Sequence, residues 1–310
     1  MGVFVFLPLV LPLTAWPVAR LAAHHLHPRM ATWLLTGVSG VLAVCSTLCL
    51  ALLMVVGTAQ LPGNPLPDGW SDPEVRAAVP YDEVAGKVAI PTLIAVLASC
   101  ARAAWRHHRV RRRAGRALAG LPATSVVVLP DETPYAYALP GRKDRVVVTT
   151  SMLATLTGPE RRALFAHERA HLDARHHRFL LTVQLAARAN PFLRPLRTAV
   201  TYTTERWADE EAATRIGSRR TVARAVGKAA LISQGAPSVT LAGFAASAGP
   251  VPRRVAALLG PAPAARLWPS LFTTAGLAAW GAAAGTTVSA LSSANSAVTL
   301  FLILKASTPL

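Results

Sequence analysis

Long apolar runs occupy both ends of this chain, while its middle alternates apolar and polar positions at shorter periods. Residues 3–19 form the first run. It is short for a spanning helix, which needs about 20 residues, and Pro8, Pro12 and Pro17 bend it. No positive charge precedes it and no small-x-small site follows, which argues against a signal peptide. Residues 33–57, apolar throughout with Trp33 at the margin, are the clearest span, and 88–104 make a third. The stretch 270–304, rich in Ala, Gly, Ser and Thr, fits one span near 271–291 with a loosely defined end, and its small residues suit close helix packing. From Ser125 the period becomes two. SVVVL, AYAL and RVVVTT, separated by Asp131, Pro134, Pro140 and Gly141, predict a small antiparallel sheet. Helical spacing then predicts helices over 159–177, 178–189, 195–216 and 219–234, with a break at Asn190-Pro191.

Composition agrees with the membrane reading: 52% of the 310 residues are hydrophobic and the mean hydropathy is +0.38. The net charge of +17 invites a nucleic-acid partner. Its distribution argues against one, because the basic residues flank apolar spans and no DNA-binding spacing is present. Six arginines follow the third run in WRHHRVRRRAGR, whereas residues 58–87 carry five acidic residues against Arg76 and Lys87. The positive-inside rule therefore expects a multi-pass cell-membrane protein with its N-terminus and residues 58–87 outside and everything from Arg106 cytoplasmic. The organisation expected is a membrane region over 1–105, a cytoplasmic domain over 106–268 and a C-terminal span over 269–310. Cys45, Cys49 and Cys100 all fall in apolar runs and read as buried small hydrophobes. His24, His25 and His27 read as an interfacial loop.

The chemistry concentrates in TGPERRALFAHERAHLDARHHRF. His167-Glu168-Arg169-Ala170-His171 is an HExxH on a predicted helix, which Thr157 and Glu160 start with capping-box spacing. Histidines four apart share a helical face and can reach one metal ion, with Glu168 placed to take a proton from a water beside it. A charged surface helix is the plainer alternative, since Arg161, Arg162, Arg169 and Arg175 surround the motif.

A third ligand decides between them. In TTERWADEEAATR, Glu205 and Asp209 lie four apart on a second predicted helix. Catalytic zinc takes three protein ligands and leaves a fourth position open. His167, His171 and Glu205 supply that set, with Asp209 orienting a ligand histidine through its other ring nitrogen. Four of the chain's fifteen acidic residues fall between 205 and 211, too concentrated for an ordinary solvated run.

The stretch from VVVLPDETPYAYALPG through HERAHLDARHH, followed by NPFLRPLR and ERWAD, resembles the gluzincin membrane peptidases, over roughly residues 122–260. More narrowly, it resembles the BlaR/MecR-type antirepressor peptidases, with the HtpX and CAAX-prenyl protease group as relatives. The resemblance implies an α-helical integral membrane protein carrying a mainly helical (α+β) zinc metallopeptidase domain. One Zn2+ would be held by His167, His171 and Glu205, Glu168 would be catalytic, and Asp209 would stand behind the ligands. The segment Tyr135–Gly141 is similar to a family strand that aligns substrate, which makes Tyr137, Ala138 and Leu139 candidate substrate contacts. His176 departs from the aspartate these families often carry there. Tyr202 and Arg254 are further candidates to assist, without spacing to support them. The implied partners are the lipid bilayer and a protein substrate, a transcriptional repressor if the role is regulatory. The alternatives are HtpX-like quality control of membrane proteins and a catalytically silent membrane scaffold. No penicillin-binding sensor of the BlaR/MecR kind follows residue 304.

Overall fold

Three prolines shape the first element. The computed structural model describes residues 6–59, 61, 82–117, 120, 124–141, 143–233, 251–263, 270 and 272–306. The first apolar run is not one α-helix: α1 (Leu7–Val10), a 3-10 turn (Leu11–Thr14) and α2 (Ala15–His25) follow one another. Pro12 has no N–H to give the helical ladder, which tightens there. Phe6, Val10 and Thr14 at the junctions keep right-handed helical angles, so the path stays helical from 6 to 25. Phe6 and Leu9 pack beside Cys49, Leu53 and Val56, whereas Ala15, Ala19 and Ala22 cluster with Leu35 and Val38. The segment therefore runs antiparallel along α3 (Pro28–Ala59).

Among the described residues, three helices are long and apolar enough to cross a membrane: α3, α4 (Asp82–Ala117) from Val84 onward, and the C-terminal α11 (Thr274–Ala306) from Gly276 onward. The C-terminal run is one continuous helix of 33 residues rather than a span ending near 291. α3 and α4 cross with their backbones touching. A Cβ placed on Gly57 would lie 2.3 Å from the Gly86 carbonyl carbon, so no larger residue fits at the crossing. α4 then runs past its apolar part as a basic rod. Its Ala114 packs on one face of the sheet, and Arg111 Nη2 donates to the Pro140 carbonyl at 3.2 Å.

The sheet corrects the expectation of an antiparallel one. β1 (Val126–Leu129), β2 (Ala136–Leu139) and β3 (Arg145–Thr149) are arranged β1-β3-β2. β2 and β3 form an antiparallel hairpin in which Tyr137 pairs with Val147, and β1 pairs parallel to β3 from Val126–Val146 to Leu129–Thr149. The turn at 140–144 is tied by Gly141 N–H to Asp144 Oδ1 at 3.0 Å. The 130–135 link, held by Asp131 to Thr133 N–H and to the Tyr135 hydroxyl, carries the chain to the other side of β3. β-Branched runs specify strands but not which edge they take. The outcome positions β2 at an edge of the sheet. Its Tyr137 and Leu139 side chains pack with Ala114 and Val147. The alternate face carries Val126, Ala136 and Val148 and meets Leu164 and Phe165 of the next long helix.

That helix is α6 (Gly158–Asp173), preceded by the short α5 (Thr150–Thr155). Glu160 Oε2 accepts the Thr157 N–H at 2.9 Å, the expected return bond at a helix start, and pairs with Lys228 Nζ at 2.8 Å. α7 (His176–Ala189) is separate from α6, whereas one helix was expected over 159–177. The break is Arg175, at φ 52, a left-handed conformation that costs a non-glycine residue roughly 1–2 kcal/mol. Asn190 then caps a 3-10 turn (Pro191–Leu193), its Oδ1 accepting the Phe192 N–H at 3.0 Å. α8 (Arg194–Ile216), α9 (Arg219–Ile232) and α10 (Val251–Leu259) complete the domain. α8 is anchored to the long apolar helix α3: Thr32 donates to Thr203 at 2.9 Å in a buried contact.

Candidate metal centre

α6 and α8 cross so that the two histidines and the glutamate expected to share a site meet. His167 Nε2 and His171 Nε2 are 3.2 Å apart, and each lies 3.5 Å from an oxygen of Glu205. A tetrahedral zinc with bonds of about 2.0–2.1 Å needs its ligand atoms about 3.3–3.4 Å apart. The two imidazole nitrogens stand close to that spacing and Glu205 presents a different oxygen to each, and these three side chains are the one group of three His, Cys, Asp or Glu placed to hold a metal among the described residues. Oxygen and imidazole donors in a tetrahedral arrangement suit zinc.

The surroundings fix each ligand. Asp209, fully buried, lies with Oδ1 3.1 Å from His167 Nδ1, which turns Nε2 toward the other donors. His171 is oriented differently: its Nδ1 is 2.9 Å from Nδ1 of His176. One ring must donate to the other, so a His171 that offers Nε2 to a metal carries its proton on Nδ1 and His176 accepts it. His176 is itself fully buried, 4.6 Å centroid to centroid from Trp207. His176 thus puts a neutral acceptor behind one candidate ligand, and Asp209 puts an anion behind the other. The left-handed Arg175 makes this possible by turning the chain back so that the first residue of α7 faces α6.

Arg254 of α10 is the residue that sequence spacing could not place. Its guanidinium holds Asp209 with two hydrogen bonds, Nε to Oδ2 at 2.9 Å and Nη2 to Oδ1 at 2.7 Å, and its Nη1 lies 2.9 Å from Glu205 Oε2. The signal in the sequence was the stretch Pro252-Arg253-Arg254-Val255, which resembles an arginine segment of those peptidase families and reads equally well as a basic membrane flank. Tyr202 lies under the guanidinium of the neighbouring Arg253, 4.3 Å away.

These charges tune one another. Burial works against the charged form of Glu205, but Arg254 and the two histidines hold its carboxyl well below the usual range. Burial also disfavours a charged His167, yet the carboxylates of Asp209 and Glu205 overcome it and raise this histidine to about 10 without a metal. His171 goes the other way, pushed down to about 4, chiefly by burial. Glu168 is shifted up, again mainly by burial, and the Ala138 backbone of β2 is a hydrogen-bond partner of its carboxyl. A carboxylate shifted toward neutral pH is suited to accept and return a proton. Of the three residues expected at a substrate strand, Ala138 is therefore at the glutamate, whereas Tyr137 and Leu139 turn into the sheet core.

Residues 100–189 match the model of Peptidase family M48. The matched stretch runs from the last turns of the third apolar segment through the sheet and α6 to the end of α7. The match over this stretch supports a metallopeptidase, and with the apolar helices α3, α4 and α11 it is consistent with a membrane metallopeptidase. Glu205, Asp209 and Arg254 lie beyond the M48 match, so their place at the site rests on the geometry alone. No curated protein and no solved structure matches the chain.

Proposed function

We propose that this chain is a membrane-embedded zinc metalloendopeptidase that cleaves a cytoplasmic or membrane-associated protein, in a regulatory, antirepressor-type role. The observation that carries the reading is the convergence of His167, His171 and Glu205, whose metal-facing atoms lie within 4.8 Å of one another, with Glu168 beside them and the β2 edge in contact with that glutamate. Zinc held by these three side chains would supply a Lewis acid that lowers the pKa of water and polarises a peptide carbonyl. Glu168 would take the proton from the attacking water and return it to the leaving amine. The β2 backbone, free of a strand partner on its outer side among the described residues, would hold an extended peptide by strand addition. Asp209, Arg254 and His176 would keep the ligands in register.

Glu168→Gln keeps size and hydrogen bonding but cannot accept the proton, and loss of a general base costs ~10²–10⁴-fold in rate. Proteomics of cells carrying this variant should show one accumulating species, the substrate, while purified variant keeps its zinc. Many accumulating membrane proteins would instead indicate the quality-control role. Near-native cleavage by a zinc-loaded Glu168→Gln would sink the mechanism.

A further inference from the structure

Glycines in a membrane helix usually mark a place where two backbones meet, and Gly57 does so at Gly86. Gly37 and Gly40 of the same helix do not. A Cβ on Gly37 would meet nothing within 4 Å, and one on Gly40 only Thr182 Cγ2 at 3.8 Å. Each gives up helix stability, about 0.8–1.0 kcal/mol relative to alanine, with no close approach to explain it. What they do is hollow out a wall. Both line a cavity of about 620 Å3 between α3, α7 and α11, whose other walls include Val44 and Leu48 of α3 and Ala290 and Ala294 of α11.

Two hydroxyls in that lining lack a hydrogen-bond partner: Thr36 of α3, 9% exposed, and Ser293 of α11, 3% exposed. Polar groups buried in an apolar setting are nearly always satisfied, so this pair asks for an acceptor. The cavity along α3 extends from Trp33 to Leu48, roughly 22 Å at 1.5 Å per residue. That exceeds one leaflet of a hydrocarbon core about 30 Å thick.

We propose that this groove is a binding site for one acyl chain of a bilayer phospholipid, with its ester carbonyl accepting from Thr36. The depth agrees: Trp33, exposed at the edge of α3, marks the interface, and Thr36 lies one turn further in. The inference rests on the membrane placement of α3 and α11 but not on catalysis. It bears on the metal centre through Phe179, which lines the groove, stacks edge-on against Trp33 at 4.7 Å, and has its ring 6.4 Å from that of His176. The occupant is thus two rings away from the ligand His171.

The test uses the full chain in phosphatidylcholine nanodiscs that contain a trace of phospholipid with a photoreactive diazirine on one acyl chain. Labelled peptides should concentrate on residues 33–48 and 290–294, above the level near Leu97, which faces outward on α4. Gly37→Leu and Ala294→Leu fill the groove from opposite walls, and each should lower groove labelling at least about tenfold, equivalent to 1.4 kcal/mol. Labelling near Leu97 should stay unchanged. Thr36→Val keeps the shape and removes one donor, which should lower labelling about fivefold if a neutral hydrogen bond contributes about 1 kcal/mol. Equal labelling of α3, α4 and α11, or no response to Gly37→Leu, would overturn the proposal. Absence of labelling on every helix would overturn the membrane placement with it. A photo-crosslinker at Gly40 that captures another polypeptide instead of lipid would assign the groove to a protein partner.

Discussion

His167 and His171 have the same sequence role and opposite titration. Without a metal, His167 is raised to about 10 and is protonated at neutral pH, whereas His171, at about 4, is already neutral. A metal needs both Nε2 lone pairs, so binding should expel the proton of His167. Zinc titration calorimetry near pH 7.5 in buffers of different ionisation enthalpy should report release of about one proton per site. Affinity should rise with pH up to the His167 value of about 10. Release of two protons, or none, would contradict this asymmetry. Arg254 is the second test at this scale. Removing it leaves the buried carboxylates of Asp209 and Glu205 with His167 alone as counter-charge, and breaking a buried pair costs about 3–5 kcal/mol. Arg254→Ala should therefore lose zinc and unfold early in a thermal melt, and Arg254→Lys, which cannot make the two-point contact with Asp209, should recover only part of both. The histidines and Glu205 could be read from sequence because ligand chemistry imposes a spacing along one helix and a scarce residue type on another. Arg254 could not, because its partners lie 45 and 49 positions away and nothing local marks an arginine as buried.

Among elements, the helix boundaries near the site were legible wherever a capping residue or proline writes them: Thr157 with Glu160, Asn190 with Pro191, and Gly217 at the end of α8. The position of the break between α6 and α7, expected after residue 177, was not, since Arg175 is no recognised helix stop and adopts its left-handed angles under tertiary demand. The sheet order was hidden for a related reason: local patterns make β1 a strand, and only packing against α4 and α6 decides its neighbour. Arg175→Gly tests whether the strain is there for position. Glycine adopts that angle freely but gains unfolded-state entropy, so the variant should gain up to about 1 kcal/mol in denaturant unfolding. It should also keep the His171–His176 contact, read as unchanged zinc affinity. A destabilised variant would mean that the arginine side chain, not the backbone turn, holds the corner.

For the whole molecule, the prediction concerns sidedness. Six arginines follow the third apolar run and an acidic loop precedes it, so reporter fusions after residue 118 and after residue 70 should report opposite sides of the membrane. The same side for both would remove α4 as a span. If α4 does cross, its length has a mechanical meaning. Its backbone is pinned against α3 at Gly86, and 25 residues further on Arg111 grips the end of β2. Those residues make a rod roughly 37 Å long. A tilt of 3° about the glycine crossing would move the far end by about 2 Å, more than half the spacing between the metal-facing donors. The first turn of α4, from Asp82 to Gly86, is the shorter arm of the same lever. A push of a fraction of an ångström on that first turn is multiplied on its way to the strand edge beside Glu168.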